Sequence, residues 1–462
     1  MNSVEILKNT PLSAKENMRI VSDVLDPIIA QPHLVRFQIP NAGILRPDSI
    51  LVFKVQSETE TDCFFPLKTG CYSAFKKVEL MLGSRRLQVV EKSSLYSTIN
   101  NQFKPCEVAY GLDMVQHGVV KRLCNNEADD GRMTLKDVVV KTSTDDQVPK
   151  RFRIRKNNPQ EWSVKMSSLF SILKDLSLPL SDLHEPLFVN LYLNKDEDVG
   201  VFSKGYSGDK SVSVLPSSFQ LVADILYFSD ERMRQLNEDM MTEEGINMIV
   251  DDVITITQQV STKDVSSETA PVERIINSDL ALNGMSVKNI VIADKNTGFT
   301  NADAGLLGKY TSQAYVKPDT IQVRVNDLNV YPRKVVNEQR KIQEVENCFE
   351  DYMYVSNPEF SFNQVSKKEG NFAIDNKMFE DTKTIHGYKL SESITGMSHY
   401  TGVDLSVDRK GRQGVVANKK INIVRETYPS PVLSNDDERE LTFFATCEKM
   451  VQFRNGGVVM VN

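Results

Sequence analysis

The stretch from Ser218 to Val250, SFQLVADILYFSDERMRQLNEDMMTEEGINMIV, decides how this chain divides. It opens as a strand, with Leu221, Ala223 and Ile225 on one face and Val222, Asp224 and Leu226 on the other. Ser229-Asp230-Glu231 then reads as a helix N-cap with an acidic first turn, and Met233, Leu236 and Met240 follow at helical spacing. Before this stretch, LFVNLYLN (Leu187 to Asn194) and the polar run DEDVGVFSKGYSGDKS close one β-rich unit. After it a second β-rich unit runs to the last residue. The sequence therefore predicts a lead-in arm over residues 1–30, a first unit over 31–217 and a second over 218–462.

Composition fits two such units. All-β domains commonly reach about 200–250 residues, so 462 residues need no third. Hydrophobic residues at 40% and charged residues at 25% suit a chain with sizeable packed cores. A net charge of −7 argues against the whole chain acting as an electrostatic partner of nucleic acid. No apolar run has the length of a membrane span, and MNSVEILKNTPLSAKENMRI lacks the apolar core of a signal peptide. Cys63, Cys71, Cys106, Cys124, Cys348 and Cys447 are dispersed, with no C-x-x-C, and read as reduced, buried thiols.

Outward toward the N-terminus, the lead-in carries sparse apolar positions (Val4, Leu7, Leu12, Met18, Val21, Leu25), which suit either a docked arm or a frayed tail. Pro27, Pro32, Pro40 and Pro47 punctuate the short runs HLVRFQI and SILVFKVQ, a spacing typical of a sandwich or barrel. In KVELML, Val78, Leu80 and Leu82 alternate with Glu79 and Met81, so one face is apolar. Gly83-Ser84-Arg85-Arg86 turns the chain and Leu87-Gln88-Val89 answers it as a hairpin. Ser93 or Ser94 then caps a helix with Leu95, Ile99 and Phe103 on one stripe.

The same grammar returns later. Ile321, Val323 and Val325 alternate, Asn326-Asp327 turns, and Leu328 and Val330 follow. Asn337 caps a helix predicted from Glu338 to about Tyr354, stopped by Asn357-Pro358. Its stripe of Ile342, Val345, Phe349 and Tyr352 faces the core; Arg340, Glu344, Asn347 and Asp351 face water. A hairpin followed by a capped helix, once per half, points to a duplicated fold. Residues 104–159 and 294–316 read as long excursions from the sandwiches. Within the first, RFRIRK sets Arg151, Arg153 and Arg155 on one strand face, more simply a solvated or intersubunit face than a phosphate site.

No catalytic constellation stands out. His33, His117, His184, His386 and His399 are scattered without metal-ligand spacing. Gly305-Leu306-Leu307-Gly308-Lys309-Tyr310 has two residues between its glycines where a P-loop needs four, and no Ser or Thr follows the lysine. There is no G-x-S-x-G elbow, and Asp129-Asp130-Gly131 lacks the distal ligands of a calcium loop. His386 and His399 near Asp404 and Asp408 read as solvated loop residues. The chain is expected not to be an enzyme and to hold no catalytic, cofactor or metal site.

Several landmarks occur in a telling order: Leu178-Pro179-Leu180 with LFVNLYL, the strand and helix DILYFSDERMRQL, then HGYKLSESITGMSHYTGVDLSV (His386 to Val407), and the closing hairpin LTFFATCEKMVQFRNGGVVMVN. In this the chain, from about Val35 to Asn462, resembles the double jelly-roll major capsid proteins of eukaryotic double-stranded DNA viruses. It is closer in pattern to the compact virophage and polinton-like members, because LFSILKDLS replaces the aromatic, Arg-rich run of the large-virus members. The resemblance implies an all-β fold with short helices, built as two tandem eight-stranded jelly-roll β-sandwiches. It implies a structural subunit forming homotrimeric, pseudo-hexameric capsomers that tile an icosahedral shell. Its partners would be its own copies, neighbouring capsomers, and penton and minor capsid proteins. No sequence-specific nucleic-acid binding and no transmembrane segment are expected. The location would be the virion, after synthesis and assembly in the host cell. A removable trimeric assembly scaffold shares the fold. A carbohydrate-binding β-sandwich is the alternative of another class, disfavoured by a single Trp and unclustered Tyr residues.

Overall fold

The computed structural model describes residues 7–8, 18–57, 63–66, 69–103, 116–118, 153–154, 156, 158–181, 183–202, 212–261, 274–296, 320–335, 338–349, 400–407, 413–418, 420–427 and 438–461. The first half contributes β1 (Met18–Leu25), β2 (Leu34–Ile39), β3 (Ile50–Ser57), β4 (Phe75–Leu82), β5 (Arg85–Glu91), β6 (Gln160–Lys165), β7 (Leu187–Leu193) and β8 (Gln220–Phe228). The second contributes β9 (Ile246–Ser261), β10 (Arg274–Leu280), β11 (Ser286–Asn296), β12 (Thr320–Val325), β13 (Leu328–Asn329), β14 (Tyr400–Asp404), β15 (Ile421–Thr427) and β16 (Glu438–Arg454), with β17 (Gly457–Val461) added to β16. Helices α1 (Ser93–Phe103), α2 (Asp230–Met241) and α3 (Glu338–Asn347) follow β5, β8 and β13.

The strand orders reveal the duplication. The first half pairs β6-β3-β8-β1 in one sheet and β2-β7-β4-β5 in the other; the second pairs β14-β11-β16-β9 and β10-β15-β12-β13. Adding eight to each label of the first set gives the second. Each set is the eight-stranded framework of a jelly roll of two facing antiparallel sheets, with a helix after its fifth strand; short strands, Ile29–Gln31, Ile44–Leu45, Leu178–Pro179 and Val212–Val214 in the first roll and Val415–Val416 in the second, pair onto these sheets. The expected all-β double roll is present, and the two hairpin-helix units seen in the sequence are equivalent parts of it.

Both expected boundaries move by one strand. Gln220–Phe228, read as opening the second unit, pairs with β3 through Gln220↔Val52, Leu221↔Leu51 and Val222↔Ile50, and so completes the first roll. The residues expected as an arm contain β1, which pairs along its full length with β8, from Met18↔Phe228 to Leu25↔Leu221. Leu7 is buried too, and its carbonyl accepts from the Ser177 amide at 2.8 Å. The change of roll falls instead after α2. Ser229 occupies the cap position of that helix without a side-chain hydrogen bond, and Leu236 and Met240 are buried as the spacing required.

Smaller expectations shift in similar ways. Ser94 does not cap α1; its hydroxyl donates to the carbonyls of Tyr72 and Phe75. Helix α3 ends at Asn347, and Glu344, expected on the wet face, is buried and accepts from the Tyr331 hydroxyl at 2.9 Å. The helix lies in the corner between β14 and the segment after β13, so two faces are covered rather than one. Asn337, Asp351, Tyr352, Tyr354, Asn357 and Pro358 lie outside the described residues, as do the side chains of Phe103 and Ile342. Strand β11 runs through Asn296, so the second excursion starts later than expected; residues 297–319 lie outside the described ones.

The two rolls are joined by one ribbon. Strands β9 and β16 pair from Ile246↔Phe453 to Ser261↔Glu438, longer than any other pair among the described residues. Along one face of this ribbon, Ile246, Met248, Val250, Val451 and Phe453 belong to the first core. On the same face, Leu441, Phe443, Ala445 and Cys447 belong to the second, with Ile254 and Ile256 packed against it. Val458 of β17 also lies in the first core. The end of the chain thus completes the roll that its beginning builds.

Candidate functional site

The site the architecture offers is the seam where the rolls meet. Midway along the shared ribbon face, between its two apolar halves, stand Asp252 and Lys449, paired at 2.6 Å. The first roll reaches this pair from β5. The Gln88 side chain donates to Asp252 Oδ1 at 2.8 Å and to the Ser171 hydroxyl at 2.6 Å, and its carbonyl oxygen accepts from the Ile172 amide at 3.2 Å. The Ser171 hydroxyl donates to the Asp251 carbonyl at 2.8 Å. Lys288 binds the Asp251 carboxylate from β11 at 3.0 Å. Gln88, Ser171 and Asp252 are all buried. Groups so enclosed must be hydrogen-bonded or they destabilise the fold, which fixes how the rolls sit against each other.

Beside the polar seam lies an apolar one. Leu95 and Ile99 of α1 pack on Val253, Val291, Ala293 and Phe444, on the outer face of the β14-β11-β16-β9 sheet. Helix α3 covers the same sheet with Val345, and Cys348, in the turn just after it, does so too. Lys92, at φ 53° just before α1, forms an ion pair with Glu440 and donates to Thr442 Oγ1 at 3.1 Å. A cleft of about 520 Å3 opens next to this contact, lined by Lys76, Lys92, Lys295, Glu91, Glu440 and Thr257 among others. Its charges nearly cancel, and its lining holds no cysteine, histidine or serine–base pair able to act as a nucleophile.

The remaining polar clusters are structural in character. On β4, Glu79 is buried with Lys77 at 2.8 Å, Tyr192 at 3.0 Å and Asn190 at 3.2 Å. Burial alone would raise its pKa; the hydrogen bonds from Lys77, Asn190 and Tyr192 outweigh that and hold the pKa below its ordinary value. Inside the second roll, buried Arg425 and Asp294 approach to 3.7 Å. Cys63, Cys71, Cys348 and Cys447 are buried. Burial pushes the Cys447 thiol up to about 12 and that of Cys348 well up, so neither is a ready nucleophile.

Among the described residues no group of three or more His, Cys, Asp and Glu could hold a metal, and no helix is long and apolar enough to cross a membrane. His117 lies buried against Tyr72, while His33 and His184 are exposed in separate loops. His386, His399, Asp408, Cys106, Cys124, Arg151, Arg155, residues 129–131 and residues 305–310 lie outside the described residues. The seam residues themselves were not singled out in the sequence, although a signal exists. In INMIVDDVITI, Asp252 breaks an alternating apolar row of Ile246, Met248, Val250, Ile254 and Ile256, and in the closing strand Lys449 breaks the row of Leu441, Phe443, Ala445, Cys447, Val451 and Phe453.

Comparison with known proteins places the fold. No family model matches the chain, and no curated protein matches it. Solved structures do. A PBCV-1 protein fitted into a cryo-EM reconstruction of the virophage Sputnik is 11% identical, with a TM-score of 0.59 over 98% of this chain and 99% of that one. The mavirus major capsid protein is 11% identical, with a TM-score of 0.51 over 98% and 92%. The Faustovirus major capsid protein is 8% identical, with a TM-score of 0.51 over 96% and 92%. At these identities the likeness is one of fold, and it extends over both rolls.

Proposed function

We propose that the protein is a structural subunit of a virus shell, a major capsid protein that assembles in threes into pseudo-hexagonal capsomers tiling an icosahedral surface. The observation that carries this reading is the shared double-roll architecture over nearly the full length of the capsid proteins it resembles. Physical chemistry supports it. Two rolls locked side by side form a slab with edges left to bury, and closed cyclic contacts between copies bury them. A buried polar seam that fixes the angle between rolls suits a part whose shape must repeat across a lattice. The reading places the protein in the virion, made and assembled in the infected cell. There it would contact its own copies first, then neighbouring capsomers, penton and minor capsid proteins. It assigns no catalysis.

The test is the purified protein itself. Light scattering should give three times the single-chain mass, with obligate interfaces of about 2,000–5,000 Å2. Negative-stain images should show six-lobed rings. A stable single chain at micromolar concentration overturns the proposal.

A further inference from the structure

The cleft of about 520 Å3 beside α1 has walls from both rolls: Lys76, Lys92 and Leu95 from the first, Thr257, Lys295 and Glu440 from the second. Its volume lies within the roughly 300–1,000 Å3 of sites that take small ligands. The formal charges of its lining nearly cancel, but both carboxylates are already engaged. One oxygen of Glu440 pairs with Lys92, and the other accepts from the Gln259 side chain at 3.0 Å. Glu91 pairs with Lys77, which stands outside the lining, at 2.8 Å. The Asn194 amide is used as well, donating to the Ser73 carbonyl at 2.8 Å and to the Ser94 hydroxyl at 2.9 Å. What the cleft still offers a ligand is cationic and donating.

Lys76 is aimed there by the backbone. Where β7 pairs with β4, Tyr192 stands opposite Lys77 and Leu193 opposite Phe75, so Lys76 is the extra residue of a β-bulge. A bulge breaks the alternation of a strand and redirects a side chain. Here it separates two successive lysines: Lys77 turns to Glu79 and the Tyr192 ring, while Lys76 lines the cleft. Among the described residues the Lys76 ammonium makes no ion pair or hydrogen bond. Across the cleft, β9 contributes the exposed Thr257 and β11 contributes Lys295. We infer that this cleft binds a small, multiply charged oxyanion, held by Lys76 and Thr257 with Lys295 and Lys92 beside it. Cations gathered along a concave wall concentrate anions there, and hydrogen bonds from ammonium groups to oxyanions are about twice as strong as neutral ones. An anion so placed touches both rolls at once and reinforces the seam formed by Gln88 and Asp252. The site is complete within one chain, whatever the state of assembly.

Calorimetric titration of the full-length protein with pyrophosphate tests this, with ionic strength held constant by sodium chloride. Saturable binding of one anion per chain is expected, together with a melting temperature that rises as the site fills. Lys76→Gln and Lys295→Gln should each weaken binding roughly tenfold or more, the usual effect of losing one hydrogen bond to a charged group. Their anion-free melting temperatures and circular dichroism spectra should match the parent's. Lys76 is exposed, so its variant keeps the fold and decides the matter even if the other does not. Lys54→Gln, an exposed lysine of β3 outside the lining, should bind as the parent does. Displacement of pyrophosphate by citrate marks a site for oxyanions in general, and failure of citrate marks one selective for phosphate; both sustain the proposal. Binding that disappears at constant ionic strength overturns it. So does an affinity for pyrophosphate that Lys76→Gln leaves unchanged, or one that Lys54→Gln lowers equally.

Discussion

Gly402 on β14 has no room for a side chain. A β-carbon there would lie 2.6 Å from the Val345 Cα and 2.9 Å from its Cγ2, so helix α3 rests on bare backbone. Gly402→Ala should therefore lift the helix and cost about 1–3 kcal/mol in denaturant unfolding, the ordinary range for overpacking. A cost near zero would show that α3 can slide. Glu344, two turns into the same helix, tests the corrected burial. Glu344→Ala removes the acceptor of the Tyr331 hydroxyl and should cost about 1–3 kcal/mol. Tyr331→Phe combined with Glu344→Leu should cost less than the two single changes added together, and strict additivity would separate the pair. Glu79 predicts an acid limb. A carboxyl whose folded value is depressed contributes stability that is fully present above its unfolded value, near 4.5, and is lost as pH falls through the folded one. Glu79→Gln should flatten the stability curve below about pH 4.5. Identical acid limbs in both proteins would acquit Glu79.

At the scale of elements, what the sequence disclosed was local and what it hid was long-range. The hairpins Phe75–Glu91 and Thr320–Asn329 were legible because both strands and the turn are contiguous, with Asn326 and Asp327 at φ 54° and 66° as a two-residue turn demands. Strand β8 was recognised as a strand but assigned to the wrong roll. Alternation shows which face is buried and says nothing about which sheet it joins. Strand β1 was missed because an edge strand with Met18, Ile20 and Val24 facing outward does not alternate cleanly. The seam escaped for a related reason, since Gln88 and Asp252 are 164 residues apart. That seam makes its own prediction. Asp252→Leu leaves Lys449 partly buried against the ribbon without its carboxylate and should cost about 3–5 kcal/mol, whereas Asp252→Leu with Lys449→Met should recover much of it. Urea unfolding at matched protein concentration reads both; a double variant as weak as the single one would mean the pair is not acting as a unit.

For the whole molecule, the question is whether two rolls are two folding units. The second has a core of its own, but the first borrows Ile246, Met248, Val250, Val451, Phe453 and Val458 from the ribbon and its closing hairpin. Fully burying side chains of this size contributes roughly 1.5–3 kcal/mol each, so together they amount to something on the order of 10 kcal/mol. That is comparable to the entire stability of a typical domain, about 5–15 kcal/mol. A fragment of residues 1–241, which contains every strand of the first roll but none of the borrowed side chains, should therefore not reach a cooperative fold. The full chain should unfold in a single calorimetric transition, because losing the ribbon exposes both cores at once. The same logic predicts that truncation after Arg454, which removes β17 and Val458, weakens the first roll more than the second, although the cut lies at the far end of the chain. Amide exchange would locate the damage: faster exchange in β2, β4 and β7 is expected, with β12 and β15 little changed. A fragment 1–241 with dispersed spectra and a sharp melt would show instead that the ribbon is an appendage and that the rolls are independent domains.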